Sequence, residues 1–202
     1  QVDSAIGGKT AIDLREGKNL AGAFHQPAGV LLDPRTLTTL PARHVRAGLA
    51  EVVKTGFAVD AGLFRLCERR STSLAGHEPR AIAPVAERTA RAKARIVLAD
   101  EREAGLRSAL NFGHTTAHAL EAVLGYRRLL HGEAVAIGMR VAARLSVEHA
   151  GLAPSESERL DLLLDELGLP RRLPPVPVER FLDAMRLDKK RRGGEVRWVL
   201  TP

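Results

Sequence analysis

The sequence predicts a mostly α-helical domain with a short β or loop segment at each end. After residue 40, apolar residues recur every three or four positions, which is the spacing of a buried helix face. The first 40 residues are instead rich in glycine. Residues 195–200 alternate in polarity after a Gly-Gly pair, a pattern typical of a strand that follows a hairpin turn.

The individual elements follow from local signals. The apolar run at residues 30–33 predicts a short buried strand. Pro41 is suited to the first turn of a helix, and Val45 and Leu49 continue it at helical spacing. Further helices are predicted, in chain order, at residues 79–99, 111–124, 131–151 and 155–167, and after a Pro-rich linker at 173–177.

The composition excludes several classes of protein. Apolar residues make up 45% of the 202 residues, as in soluble globular proteins, and no apolar run approaches the roughly 20 residues of a membrane span. The net charge of +7 comes from 31 basic and 24 acidic residues that alternate on helical faces. An aromatic content of 3% offers few stacking surfaces, so we expect no nucleic-acid partner.

The ends of the chain and its single cysteine give two further expectations. Cys67 alone cannot form an internal disulfide, which favours a reducing, cytoplasmic setting. The chain begins Gln-Val-Asp-Ser, without the Met, basic stretch and apolar segment of a secretory signal. Because it does not begin with Met, we expect the chain to be part of a longer protein.

Two histidines four residues apart are the first candidates for chemistry. His114 and His118 lie on one face of a predicted helix, and imidazole is a common zinc ligand. Either Glu121 or Glu133 could complete such a site. The alternative is a polar helix face with two ordinary histidines, and the spacing leaves both interpretations open.

Three other residues also have a structural and a chemical interpretation. His131 begins a predicted helix, where it either caps the helix or presents a ring nitrogen to a cleft. Glu51 and Lys54, one turn apart, form either an exposed ion pair worth about 0.3 kcal/mol or a buried pair among apolar neighbours. A buried carboxylate would need a cation or a metal as its partner.

The glycine turn at residues 7–10, Gly-Gly-Lys-Thr, resembles a phosphate-binding loop only in part. It lacks the first glycine and the spacing of a Walker A motif, so we reject that assignment. A glycine turn followed by lysine can still approach a phosphate closely, and Gly-Lys-Asn at 17–19 repeats this chemistry. Lys93, Arg107 and residues 188–190 add further cations, although such charges usually belong to a solvated face.

Taken together, these segments resemble the 3-dehydroquinate synthase family in one continuous order. The motifs that carry the resemblance are Gln-Val-Asp-Ser-x-x-Gly-Gly-Lys-Thr, Gly-Lys-Asn, Gly-Ala-Phe-x-Gln-Pro, Thr-Leu-Pro, Gly-Leu-Ala-Glu-Val-x-Lys, Asp-Glu-Arg-Glu, Asn-Phe-Gly-His-Thr, His-Gly-Glu-Ala-Val and Asp-Lys-Lys. Each motif is modest, but the ordered set is specific and spans nearly all 202 residues.

The resemblance implies a catalytic zinc site. Its ligands would be Glu51, His114 and His131, with substrate oxygens in the open positions and Co²⁺ as an alternative metal. By the same resemblance, His118 is a residue beside the substrate and not a ligand. Spacing alone would therefore misassign one ligand.

The implied activity is that of 3-dehydroquinate synthase in the shikimate pathway. The enzyme converts 3-deoxy-D-arabino-heptulosonate 7-phosphate to 3-dehydroquinate and phosphate, with NAD as a cofactor that is regenerated in each turnover. The residues implied to surround the substrate are Asp3, Asn19, Lys54, Lys93, Arg107, Asn111, His118 and Lys189. Those implied to contact NAD are Lys9, Lys18, Thr36, Leu37, Thr38 and Thr39.

The resemblance also implies a domain organisation. Family members carry a nucleotide-binding α/β domain before this region, so residues 1–40 are expected to form a β/loop segment that contacts it. Residues 41–202 are expected to form the helical zinc and substrate domain, shortened at its C-terminal end. We expect the fragment to be inactive alone, and the full-length protein to be a homodimer.

Two alternatives stay open. A sister sugar-phosphate cyclase of the 2-epi-5-epi-valiolone synthase type would share the zinc ligands, although Arg107, Asn111 and Lys189 favour the dehydroquinate enzyme. The chain could instead be an inactive zinc-binding fragment.

Overall fold

The computed structural model describes residues 2–14, 17–126, 128–191 and 197–202, with the side chains of 13–14, 17–20 and 187–191 outside the description. In these ranges the elements are β1 (Lys9–Leu14), β2 (Gly17–Phe24), a 3-10 helix (Pro34–Thr39), α1 (Ala42–Ala58), α2 (Ala61–Arg69), α3 (Ser71–Ala75), α4 (Pro79–Ala99), a second 3-10 helix (Leu106–Asn111), α5 (His114–Val123), α6 (His131–His149), α7 (Pro154–Glu166) and α8 (Val178–Arg191). The predicted mostly helical fold class is confirmed. None of the described helices is long and apolar enough to cross a bilayer.

The predicted helices are present, with ends that shift by a few residues. Helix α4 has the predicted bounds, and α6 and α7 begin at or next to the predicted positions. Helices α2 and α3 were not predicted. The local signal for α2 was Asp60, whose Oδ1 accepts hydrogen bonds from the backbone N–H groups of Gly62 and Leu63 at 3.0 and 3.1 Å.

The predicted buried strand at residues 30–33 is wrong. Leu31 is 93% exposed, and no strand forms there in the described chain. Asp33 instead caps the first 3-10 helix by accepting a hydrogen bond from the N–H of Arg35 at 3.0 Å. An apolar run predicts burial only where another element covers it, and none of the described residues covers Leu31.

The strand predicted at the other end is only partly open to comparison. Residues 195–196 and the Gly-Gly turn lie outside the described residues, and 197–200 are not in a strand.

The β structure that is described is an antiparallel hairpin near the start of the chain, in which Lys9 pairs with Phe24 and Ile12 with Ala21. Both Phe24 and Ile12 are exposed. A lone two-stranded hairpin is marginally stable in water, so most of the fold's stability comes from the helices.

The core is built around α1. This helix packs against α2, α4, α6 and α7, while α6 also packs against α5 and α7. Val53, Leu63, Phe112, Met139 and Leu164 are among its fully buried side chains. Helix α6 therefore contacts both α1 and α5.

Three glycines allow these helices to meet backbone to backbone. A Cβ on Gly132 would lie 1.8 Å from the Ala47 carbonyl oxygen, and one on Gly138 would lie 2.0 Å from the Gly113 oxygen. Gly113 itself has φ +79°, in the left-handed region that favours glycine. The distance from α6 to α1 and the distance from α6 to α5 are therefore each set at a glycine.

We predict that Gly132→Ala destabilises the chain, whereas Gly48→Ala does not. The new methyl group on residue 132 must push α6 away from Ala47, at a cost of about 1–3 kcal/mol. Gly48 is also helical, but a Cβ there meets no described atom within 4 Å, so alanine should stabilise α1 by up to about 1 kcal/mol. Urea unfolding of the two variants measures the difference. Equal stabilities of the two variants would contradict the close contact between Gly132 of α6 and Ala47 of α1.

Candidate metal centre

Three helices each bring one potential metal ligand to the same place. Glu51 lies in the middle of α1, His114 is the first residue of α5 and His131 is the first residue of α6. Glu51 Oε1 is 3.5 Å from His131 Nε2 and 3.8 Å from His114 Nε2. One ligand atom from each of the three residues lies within 4.8 Å of the others.

The two oxygens of Glu51 have different surroundings. Oε2 accepts a hydrogen bond from Nζ of Lys54, which is only 3% exposed. The buried interpretation of this ion pair is therefore confirmed. Oε1 is buried and has no hydrogen-bond partner among the described residues. A buried carboxylate oxygen that faces two imidazole nitrogens fits a bound cation, and this ligand set suits zinc.

The outer nitrogen of each imidazole faces an oxygen. Nδ1 of His114 is 3.3 Å from the Phe112 carbonyl oxygen, and Nδ1 of His131 is 3.3 Å from Glu121 Oε2. If each Nδ1 donates its proton to that oxygen, each Nε2 keeps a lone pair directed towards Glu51. In that protonation state, both histidines would be oriented to bind a metal.

The charges of the site agree with this arrangement. Burial, helped by the charge of Lys54, lowers the pKa of His114 to about 3, so its ring is neutral at pH 7. Burial opposes the charged form of His131, but its hydrogen bond with Glu121 and its close contact with the Glu51 carboxylate raise its pKa to about 9. Burial also disfavours ionised Glu51, yet the charge of Lys54 and the contact with His131 hold its pKa well below the usual value. A bound metal would take the place of the proton on His131.

His118 and Glu133 are not in the ligand group. The ring of His118 lies beside it, with its centre 5.4 Å from that of His114 and 6.3 Å from that of His131. Glu133 is bound by Arg43 at 2.6 Å and accepts the Leu130 N–H at 2.9 Å, so it caps α6. The cap of this helix is thus supplied by Glu133 and not by His131.

A second polar group joins residues 3–9 to the loop before α5. Lys93 Nζ lies 3.0 Å from Asp3 Oδ2 and donates to the Asp3 carbonyl at 2.9 Å. Arg107 is buried, and its guanidinium donates to the carbonyls of Glu101 at 2.5 Å and Gly7 at 2.8 Å. The arginine therefore ties the glycine turn to this loop.

Glu103 is the member of this group that sequence reasoning missed. Its carboxylate accepts hydrogen bonds from both Lys9 and Asn111, two residues implied to be functional. The signal was the Asp-Glu-Arg-Glu motif, to which no role had been given. The second 3-10 helix, which ends at Asn111, packs against α1 and leads into α5. Asn111 therefore lies three residues before His114, the first residue of α5.

The structure describes the side chains of only some of the remaining residues that the family resemblance implied to contact NAD or the substrate. Thr36, Thr38 and Thr39 lie on the exposed 3-10 helix, where their hydroxyls donate to carbonyls one turn earlier, and Leu37 packs against the core. The side chains of Lys18, Asn19 and Lys189 lie outside the description. Helix α8, which contains residue 189, packs against α5.

Comparison with known families gives two matches that together span most of the chain. The family model described as 3-dehydroquinate synthase C-terminal matches residues 48–191, and the one described as 3-dehydroquinate synthase N-terminal matches residues 1–47. The junction between the two matches falls inside α1.

Individual relatives agree with this. The chain is 50% identical to the 3-dehydroquinate synthase of Bordetella pertussis over all 202 residues, covering 56% of that protein, and 50% identical to that of Nostoc punctiforme, with 98% of this chain and 56% of the relative covered. Its structure is similar to that of the 2-epi-5-epi-valiolone synthase ValA of Streptomyces hygroscopicus with NAD⁺ and Zn²⁺ bound (TM-score 0.86, 34% identity, 98% and 56% of the two chains). It is also similar to a 2-deoxy-scyllo-inosose synthase in complex with carbaglucose-6-phosphate, NAD⁺ and Co²⁺ (TM-score 0.81, 26% identity, 91% and 50%).

We predict that the purified chain holds about one zinc per molecule. Alanine at Glu51, His114 or His131 should each remove it, because a site with three protein ligands rarely survives the loss of one. His118→Ala is the matched control and should keep its zinc, since its ring lies outside the ligand group. Elemental analysis after gel filtration gives the metal content. Loss of zinc from His118→Ala together with its retention by His131→Ala would contradict the ligand assignment.

Proposed function

This chain belongs to the 3-dehydroquinate synthase family, and we propose that it forms the metal- and substrate-binding part of an enzyme that converts 3-deoxy-D-arabino-heptulosonate 7-phosphate to 3-dehydroquinate and phosphate. The observation that carries the proposal is that His114 and His131 both face a buried oxygen of Glu51 that has no hydrogen-bond partner among the described residues. The identity of 50% to the Bordetella enzyme supports the choice of reaction. The chain spans about half the length of the curated relatives it matches, so the activity is assigned to the longer protein.

The chain's own residues would prepare the site for oxidation of a substrate hydroxyl. Zinc, when bound, would supply a Lewis acid that lowers the pKa of that hydroxyl, and NAD⁺ would accept the hydride. Lys54 fixes one oxygen of Glu51, which leaves the other for the metal. His118 lies beside the ligands, where we place the substrate.

The second polar group would recognise the anionic ends of the substrate. Lys9, Lys93 and Asn111 are each held by an acidic residue, and this fixes their donors before a substrate arrives. Arg107 would act partly through the backbone, because its guanidinium already holds the glycine turn. We assign Asn19 and Lys189 to the same group by family resemblance.

The NAD contacts would come from residues 1–40 and from the part of the relatives that this chain does not span. Lys9, Lys18 and residues 36–39 would contribute from this chain. Ile12, Phe24 and Leu31 are exposed on this segment, and a covering domain would gain stability by burying them. The homodimeric state and the cytoplasmic location of the full-length protein stay predictions.

A second candidate is the sister cyclase activity. The structural likeness to the 2-epi-5-epi-valiolone synthase, with a TM-score of 0.86, favours it as the alternative. The lower identity of 34%, against 50% for the dehydroquinate enzymes, places it second. The two activities differ in whether the substrate carries a carboxylate.

We predict that the isolated chain does not release phosphate from the heptulosonate, whereas the same chain within a protein of the relatives' full length does. Hydride transfer needs the nicotinamide held against the substrate to within a few tenths of an ångström, and contacts to NAD would be missing from the chain alone. A colorimetric phosphate assay on both proteins makes the comparison. Equal rates would show that the 202 residues hold NAD unaided.

In the full-length protein, we predict a strong preference for the acid substrate over the same sugar phosphate without the carboxylate. The acid substrate would make charged hydrogen bonds with the second polar group that a substrate without the carboxylate cannot make, and their loss costs about 2–5 kcal/mol in kcat/KM. The ratio of kcat/KM for the two substrates measures this. A preference for the sugar without the acid would favour the sister cyclase.

A further inference from the structure

His131 stands between two carboxylates. Its Nε2 is 3.5 Å from Glu51 Oε1, and its Nδ1 is 3.3 Å from Glu121 Oε2. A neutral imidazole carries one proton, so Nε2 can bind a metal only if that proton is on Nδ1. In this structure a proton on Nδ1 points at Glu121.

Glu121 is held firmly in this position. It lies on α5, on the same helix face as His114, and its side chain is only 3% exposed. Its backbone carbonyl accepts the N–H of Tyr126 at 2.9 Å, which closes the end of the helix. A carboxylate removed from water needs hydrogen-bond donors, and the ring N–H of His131 supplies one.

His114 provides an internal comparison. Its Nε2 faces the same Glu51 oxygen, but behind its Nδ1 is the neutral carbonyl of Phe112. The His114 side chain is 11% exposed and is held by packing, whereas that of His131 is 43% exposed. The more exposed ring is therefore the one that has a charged acceptor behind it.

We propose that Glu121 is a positioning residue, which holds His131 with its proton on Nδ1 and its Nε2 directed at the metal. The inference rests on the proposed metal function of Glu51, His114 and His131. An acceptor behind a histidine ligand fixes its tautomer and ring orientation, and a carboxylate also raises the basicity of the ligand. The competing interpretation is a structural one, in which Glu121 only joins α5 to α6.

Zinc affinity separates these interpretations. Affinities of the wild-type chain and of Glu121→Gln are measured by competition with a chromophoric chelator. The glutamine keeps the shape of the side chain but removes its charge, and we expect zinc to bind roughly 10–100-fold more weakly. The matched control is Asp161→Asn, which loses a charged partner of the buried Arg140 between α6 and α7. Its zinc affinity should equal that of the wild type, even if its melting temperature falls.

A second measurement does not depend on any variant folding. In the zinc-loaded wild-type chain, ¹⁵N NMR of the imidazoles should show His131 protonated at Nδ1 and metal-bound at Nε2. Metal bound at Nδ1, or equal zinc affinities for wild type and Glu121→Gln, would overturn the role of Glu121 and leave the proposed function intact. A wild-type chain that binds no zinc would overturn both the metal centre and this inference.

Discussion

The candidate site depends on one buried carboxylate oxygen. Glu51 Oε1 is removed from water, has no hydrogen-bond donor among the described residues and faces two imidazole nitrogens. Lys54 occupies only the other oxygen of the same carboxylate. An arrangement of this kind is costly in a folded protein unless a cation completes it. Nε2 of His114 and Nε2 of His131 are the two nitrogens that could share such a cation with this oxygen.

The helices can meet this requirement only because their backbones come into contact. Gly132, the neighbour of His131, lies against the Ala47 carbonyl, and Gly138 lies against the carbonyl of Gly113, the neighbour of His114. Each ligand histidine is thus next to a glycine that sets the distance between two helices. A side chain at either glycine contact would move a ligand by more than the tolerance of a metal site. The same glycines therefore allow the helices to pack closely and place the histidines where they could bind a metal.

The sequence predicted much of the fold, since prolines, apolar spacing and glycines mark most of the helices. Spacing also found His114, but it paired this residue with His118 on the same helix. A pattern within one helix cannot show which residue of another helix lies close to it in the fold. The family resemblance instead paired His114 with His131, and the structure brings both rings to Glu51. The exposure of Leu31 and the contact between Glu121 and His131 could not be predicted, because both are decided by tertiary packing. The missed helices α2 and α3 are short, and short helices carry few periodic residues.

Anomalous diffraction at the zinc absorption edge, from crystals of the zinc-loaded chain, tests the central claim most directly. The account predicts one strong anomalous peak at about 2.0–2.2 Å from a carboxylate oxygen of Glu51 and from Nε2 of both His114 and His131. A peak bonded to His118 in place of His131 would contradict the ligand assignment, and a peak elsewhere on the chain would contradict the metal centre itself.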